Sequence, residues 1–412
     1  MRVLYHVPLL RNIGDEKRDP GGISCFIENF VHEMSVRPSL AFKFGFPNSY
    51  SQETEAKRYS GSKGSIYHDR MLSAWSDRSV PLMLSDESRS HRRTRTVDST
   101  ADLRRAFGEP GEPFDVFHSF HNALASRDRV RCRVRVATVY DLTPLLFPEH
   151  SYSETAHLEW FAMLHSIDPR RDWVICMSEA TKRDLCAYTS MPSDRVAVIP
   201  GAASPRIFYR EANARRTQAR LKRYGLSRHG YILSVSVIEP RKNLPHLIKS
   251  FVRFVTEHKV KNLKLVLAGP NGWNYEEVFK TVERYPALKD RVILPGYVPT
   301  SDLNAMYNGA LFLVYPSFYE GFGLPIVEAM QCGVPVITST TGSLPEVAGD
   351  AGVLVDPRSE DQMCTAMHSL WSDPGLRGEL ARRGLTRSTR FSWKQNVDQT
   401  ISLYRTALRL AK

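Results

Sequence analysis

Along the chain, short runs of Val, Ile and Leu alternate with stretches in which apolar residues recur every three or four positions. The runs show little polar alternation, which is how strands read when both faces of a parallel sheet are covered. In the first half they predict strands over residues 2–7, 42–46, 115–120, 134–140, 173–177 and 196–199. In the second half they predict strands over residues 231–237, 264–268, 291–294, 311–315, 335–338 and 352–355. The periodic stretches between them, 243–257 and 301–309 among others, predict helices. A strand–helix rhythm run through twice implies an α/β fold of two doubly wound, Rossmann-like domains. Residues 391–410 read as one amphipathic helix, with Ser392 placed to cap its first turn.

Two regions break the rhythm. Residues 205–229 carry Arg206, Arg210, Arg215, Arg216, Arg220, Lys222, Arg223 and Arg228 and few apolar side chains. They are expected to be a basic linker, with room for a helix in its middle, between a domain of residues 1–204 and one of residues 230–391. Residues 48–106 are rich in Ser, Arg and Asp, with Arg89, Arg92, Arg93 and Arg95 clustered. They read either as a mobile basic insertion or as an ordinary solvated loop.

Composition narrows the class. A chain of 412 residues suffices for two or three domains, at ~150 residues each. A hydrophobic content of 42% excludes a wholly disordered protein. The net charge of +12 points to an anionic partner, either nucleotide phosphates, an acidic membrane surface or nucleic acid, unless it serves only solubility. Nucleic acid is not expected, because no aromatic–basic RNA motif, zinc-finger spacing or heptad accompanies the charge. The six cysteines are scattered with no CxxC pair. They read as small core residues in a reducing compartment rather than as a disulfide framework. The first residues do not form a signal peptide, and no run approaches the ~20 apolar residues of a membrane span. The expected location is cytoplasmic, with peripheral attachment to the inner face of a membrane as one form of it.

The most informative stretch runs from Tyr315 through Ser317, Glu320, Gly321, Phe322, Gly323 and Leu324 to Glu328. A buried strand gives way to a glycine-bearing loop, and a helix starts near Leu324 with Pro325 in its first turn. The free amides and positive dipole end of such a helix suit a phosphate. Gly321 and Gly323 let the backbone approach a ligand without a Cβ. Glu328, about one turn into the helix, can accept two hydrogen bonds from a vicinal diol such as ribose. Glu320 lies nearer the phosphate, where it can meet sugar hydroxyls. A second element, Glu239, Pro240, Arg241, Lys242 and Asn243, follows the strand at 231–237. Ligands of doubly wound sheets bind at the carboxyl ends of strands, so Arg241 and Lys242 are expected to face the same crevice as Glu320. There two cations can stabilise the growing charge of a diphosphate leaving group. The plain alternative is a pair of solvated charges beside a loop.

With these residues in place, the second half resembles the retaining family 4 glycosyltransferases of the GT-B fold, in particular mannosyltransferases. The similar stretches include residues 233–251, 268–273, 295–298, 314–338 and 343–349. The resemblance implies that Arg241 and Lys242 bind the donor diphosphate, Glu320 the transferred sugar and Glu328 the ribose, with backbone near Tyr297 and Val298 at the base. It implies no cofactor and no metal, the nucleotide sugar being a co-substrate. The first half is similar but looser. Gly21, Gly22 and Ile23 resemble the glycine loop that faces the donor phosphate, and the helix at 391–410 resembles the segment that crosses back to complete the first domain with residues 392–412. Where many relatives have His-Asp, this chain has Tyr140-Asp141. Tyr140 can donate a hydrogen bond but not act as an imidazole. Asp141 is expected either to orient or deprotonate the acceptor hydroxyl, or simply to cap the next turn. His118 and His121 end a first-domain strand; their position favours the cleft and acceptor contact, against the commoner structural role of a lone histidine.

The expected function is a metal-independent hexosyltransferase of polysaccharide, lipopolysaccharide or glycolipid assembly. It would move mannose or a related sugar from a nucleoside-diphosphate donor such as GDP-mannose to a saccharide or lipid-linked acceptor. Peripheral contact of basic residues 89–105 with an anionic membrane belongs to that expectation. A nucleotide-sugar epimerase or hydrolase on the same scaffold and a basic nucleic-acid-binding protein are the alternatives.

Overall fold

The computed structural model describes residues 1–6, 26–27, 29–30, 33–34, 41–45, 113–120, 123–124, 127, 130–150 and 154–411. Gly21, Gly22, Ile23, Phe46, His121 and residues 48–106 lie outside the described residues, and so do the expectations attached to them.

Twelve strands are described: β1 Arg2–His6, β2 Ala41–Gly45, β3 Phe114–Ser119, β4 Cys132–Val139, β5 Trp173–Cys176, β6 Val196–Val198, β7 Tyr231–Val235, β8 Lys264–Ala268, β9 Val292–Gly296, β10 Leu313–Tyr315, β11 Val336–Ser339 and β12 Gly352–Val355. They form two six-stranded sheets, ordered β2-β1-β3-β4-β5-β6 and β12-β11-β10-β7-β8-β9. Every pairing is parallel. Both faces of the central strands are buried, as the unbroken apolar runs require: β5, β10 and β11 have no exposed residue. The helices that position the site are α1 Glu179–Thr189, α2 Leu244–Glu257, α3 Thr300–Gly309, α4 Leu324–Gln331, α5 Leu344–Ala348 and α6 Trp393–Leu410.

In the second sheet the strand order reverses direction between β7 and β10. The helices that follow these two strands, α2 and α4, pack into different apolar clusters, and the loops before them border a crevice at the carboxyl ends of the strands, the usual ligand position in such sheets. The loops are residues 236–243 and 316–323, which carry Arg241, Lys242 and Glu320.

Helix α6 starts where Ser392 accepts a hydrogen bond from Gln395 N at 3.2 Å. It packs on the first sheet, where Asn396 donates to Pro200 O at 2.8 Å and Tyr404 reaches His118 on β3. The basic residues 205–229 are not a free linker. A helix at Ala214–Leu221, capped by Asn213, lies against the second domain. Asp302 of α3, 4% exposed, gathers Arg220 at 2.9 Å, Arg223 at 3.4 Å and Tyr224 OH at 2.9 Å. Burying that carboxylate without these partners would be costly, so the arginines are drawn onto the domain surface.

Candidate active site

Beyond β7 the chain makes a single tight turn, Pro240–Lys242, and Asn243 closes it at φ 57°. The Asn243 amide donates to Pro357 O at 2.7 Å and Pro316 O at 3.3 Å, so the turn is tied to the loop after β10. Phe318 N donates to Arg241 O at 2.9 Å and adds a second tie. That second loop is pinned from below by Ser343, whose hydroxyl lies 2.8 Å from Glu320 O and 2.9 Å from Phe322 O. Gly323, at φ 99°, then turns the chain into α4.

These ties bring three side chains together. Glu320 accepts hydrogen bonds from Arg241 Nη1 at 2.6 Å, Lys242 Nζ at 2.6 Å and Tyr315 OH at 2.8 Å. Arg241 also donates through Nη2 to Glu239 at 2.8 Å. Glu320 and Lys242 are each 7% exposed. Burial alone would raise the Glu320 carboxyl, but the Arg241 and Lys242 cations outweigh it and hold it down at about 2. Burial, with Arg241 adding, lowers Lys242 against the pull of Glu320, whereas Glu320 and Glu239 raise Arg241 against burial. A carboxylate so encumbered is a poor base and a poor nucleophile. What it can do is hold two cations aimed into a cleft.

The cleft encloses about 630 Å³ between the two domains. Arg241, Lys242, Tyr297, Val298, Glu320, Gly321, Phe322, Gly323, Leu324 and Glu328 line it on one side, and Tyr140 and Asp141 on the other. Helix α4 opens onto it through Leu324 and Pro325. Glu328 is half-buried, and its Oε2 accepts from Tyr307 OH at 2.6 Å. Burial pushes its carboxyl up to about 7, with the Tyr307 hydrogen bond pulling the other way.

On the first-domain side, the Tyr140 ring stands edge-on to Phe26 at 5.4 Å. Burial keeps its phenol protonated, so it can offer a hydrogen bond but not a base. Asp141 Oδ1 accepts from Thr143 N at 2.9 Å, the turn-capping role, although the residue also lines the cleft. Its carbonyl accepts from Trp160 Nε1 at 2.9 Å.

Two expected roles change. Gly321 lines the cleft, and its missing Cβ also makes room for the backbone of the other domain. A Cβ there would sit 1.9 Å from Tyr140 O and 2.8 Å from Asp141 Cβ, so the glycine lets the loop after β10 touch the backbone of the other domain. The Thr181 hydroxyl lies between the same two segments, 3.3 Å from Tyr140 O and 3.4 Å from Gly321 O. Tyr319 OH donates to Asp184, and Glu346 of α5 accepts from Glu179 N at 3.2 Å and Ala180 N at 3.4 Å, capping α1 from the opposite domain.

His118, in turn, does not reach the cleft. It is 1% exposed, with Nδ1 2.6 Å from Tyr404 OH and Nε2 2.7 Å from Thr138 Oγ1, and burial pushes its imidazole down to about 3. It is a neutral strut between β3, β4 and α6. His118→Leu is expected to cost about 1–3 kcal/mol by removing the partner of the Thr138 hydroxyl and leaving Tyr404 OH with Tyr5 OH at 3.4 Å, while the acceptor KM stays put. Thermal denaturation together with acceptor kinetics checks this.

Ser343, Tyr315 and Tyr307 hydrogen-bond to residues of the expected site, contacts that sequence reasoning does not assign. Ser343 stands in a stretch that carries the resemblance, but the two tyrosines look like ordinary core residues.

A sequence-family model described as Glycosyl transferases group 1 matches residues 226–387. O-antigen chain mannosyltransferase B of Escherichia coli is 33% identical over 270 residues, covering 66% of this chain and 70% of that protein. Serotype-specific mannosyltransferase WbdA of Escherichia coli is 29% identical over 266 residues, which is 65% of this chain but only 32% of that longer protein. Among solved structures, sucrose-phosphate synthase from Thermosynechococcus elongatus aligns over 100% of both chains with a TM-score of 0.70 at 20% identity, a likeness of fold.

Proposed function

This chain belongs to the group 1 glycosyl transferases, with the GT-B fold, and on that footing we propose that it moves a mannosyl or related hexosyl group from a nucleoside-diphosphate sugar to a saccharide or lipid-linked acceptor, with retention at the anomeric carbon. The observation that carries the reading is the Glu320–Arg241–Lys242 cluster at the β7/β10 crevice, with Glu328 one helical turn or so further on. Such a layout matches a nucleotide sugar along its length: base near Tyr297 and Val298, ribose at Glu328, diphosphate at Arg241 and Lys242, sugar at Glu320. The choice of mannose and of polysaccharide assembly is supported by the names of relatives such as the Escherichia coli O-antigen chain mannosyltransferase B; GDP as the nucleotide is part of the proposal.

In the proposed reaction the bond from the anomeric carbon to the donor phosphate breaks, and its electrons pass to the diphosphate. The acceptor oxygen bonds to that carbon from the same face, and its proton goes to a donor phosphate oxygen. Arg241 and Lys242 stabilise the charge on the leaving group, and because they are already fixed by Glu320 they need little reorganisation to do so. Asp141 and the Tyr140 phenol orient the acceptor. Neutralisation of the diphosphate by these two cations requires no metal, so transfer is expected to persist in EDTA. The acceptor is met at the cytoplasmic face, lipid-linked forms at the membrane surface; among the described residues no helix is long and apolar enough to cross a membrane.

A thermal-shift panel of GDP-, UDP-, ADP- and dTDP-sugars tests the reading. GDP-mannose is expected to raise the melting temperature most, by mass action, and to yield a glycoside only when acceptor is present. Absence of a shift with every nucleotide sugar would remove the donor site. Acceptor-independent release of free sugar would make the enzyme a hydrolase.

A further inference from the structure

Helix α3 presents Thr300 and Leu303 to the cleft, near Tyr297 and Val298. Tyr307 follows at the next turn of the same helical stripe, but it lies behind the cleft wall and is fully buried. Its ring is held edge-on by Phe208 at 5.6 Å. The end of its helix is anchored by Tyr231 OH donating to Met306 O at 2.6 Å and by the close fit of Gly309, where a Cβ would meet Leu221 Cδ1 at 2.4 Å. The hydroxyl therefore has a fixed position, and what it meets is Glu328 Oε2 at 2.6 Å.

Core tyrosines commonly spend their hydroxyl on a backbone carbonyl, as Tyr231 does here. Tyr307 instead crosses between two helices to a carboxylate on the rim of the cleft. Glutamate has three side-chain torsions, and an unanchored one samples many rotamers. With one oxygen tied from behind, the carboxylate keeps one plane and one direction.

We propose that Tyr307 is a positioning residue for the donor, fixing the Glu328 carboxylate so that its other oxygen meets the ribose hydroxyls. The inference rests on the reading of Glu328 as the ribose ligand. It explains how a carboxylate on a short helix is preorganised for a diol by a hydroxyl that lies behind the cleft wall. The same hydrogen bond favours the ionised carboxylate, opposing the burial that pushes Glu328 up to about 7.

Calorimetric titration of wild type and Tyr307→Phe with GDP and with 2′,3′-dideoxy-GDP tests it. Wild type is expected to prefer GDP by about tenfold or more, as a hydrogen bond to a charged group implies. Tyr307→Phe, which keeps the ring and removes one oxygen, is expected to lose most of that preference while binding dideoxy-GDP as wild type does. The fall of GDP affinity toward acid pH is expected to begin at higher pH in the variant, a shift that mere loosening of the core would not produce. A 3-fluorotyrosine at 307 retains the donor and is expected to retain the preference. Wild type that binds both nucleotides equally would refute the ribose role of Glu328 itself. A wild-type preference that persists in full in Tyr307→Phe, or one lost in the fluorotyrosine protein, would overturn the positioning role alone.

Discussion

Gly321→Ala is expected to lower the rate of sugar transfer about a hundredfold or more while leaving donor binding within a few-fold of wild type. The added methyl would lie 1.9 Å from Tyr140 O, a backbone atom at the end of β4 that cannot swing away like a side-chain tip. Relief requires the donor-side loop and the Tyr140-Asp141 segment to separate by an ångström or more. Overpacking of this kind costs about 1–3 kcal/mol. The larger effect is on the reaction, because a misplacement of about 1 Å between reacting groups can cost about a hundredfold in rate. Arg241, Lys242 and Glu320 keep their mutual contacts and Glu328 its bond to Tyr307, all within the second domain, so nucleotide affinity should survive. Initial rates, calorimetric nucleotide binding and melting temperature, measured on one preparation, separate these terms. A folded variant with wild-type turnover would show that transfer does not need this approach of the two backbones.

Lys242→Ala and Glu320→Gln should both cripple turnover, yet differ in what they do to the fold. Removing Lys242 leaves Glu320 with Arg241 at 2.6 Å and Tyr315 at 2.8 Å, so the buried carboxylate stays satisfied and stability changes little. The lost cation is expected to cost about 10²–10³ in kcat, the usual size for a preorganised charge aimed at a leaving group. Glu320→Gln removes the carboxylate shared by Arg241 and Lys242 and leaves Lys242 without its ion-pair partner in a buried site, although Arg241 keeps Glu239 at 2.8 Å. Breaking a buried pair from one side costs about 3–5 kcal/mol, so this variant should melt well below wild type. A nucleoside diphosphate brings negative charge back to the two cations. GDP should therefore raise the melting temperature of Glu320→Gln by more than it raises that of wild type.

The pH dependence has a definite sign. Glu320 sits at about 2, below its ordinary value near 4.5, so its stabilising contribution is present above 4.5 and is lost as pH falls through 2. The stability gap between wild type and Glu320→Gln should narrow across that window. Wild-type transfer rates in either purified variant would sink the assignment of these residues to the donor site.

What could be read from the sequence follows from which contacts are local. Each of the twelve strands falls within a few residues of an apolar run, because strands covered on both faces have no reason to alternate. Arg241, Lys242 and Glu320 could be assigned to one crevice because loops that leave parallel strands must emerge at one end of the sheet. The partner of Gly321 is 181 positions away in sequence by count from Tyr140 to Gly321, and no pattern around either residue announces the other. His118 failed for a related reason: in a strand buried on both faces, a polar residue gives no sign of whether it faces a cleft or a covering helix. Only the arrival of Tyr404, from the last helix of the chain, decides it. The helix allowed within the basic stretch 205–229 is present at Ala214–Leu221, but its anchor is not legible, since Asp302 is one carboxylate in an otherwise plain helix. Tyr307 was hidden by its apolar ring, since a hydroxyl in a helical core pattern reads as packing.

The chain passes from the first domain to the second beyond Gly201 and returns near Phe391, and Asn396 ties these passages together by its 2.8 Å bond to Pro200 O. Two adjacent crossings joined in this way behave as the pins of a door. They are expected to leave twisting about a single line as the softer motion between the halves. Each swing must break or remake the grip of Glu346 on the start of α1 and of Tyr319 on Asp184. Because every added sugar requires one donor to enter and one spent nucleotide to leave, the strength of those two catches bears directly on how fast the enzyme can cycle.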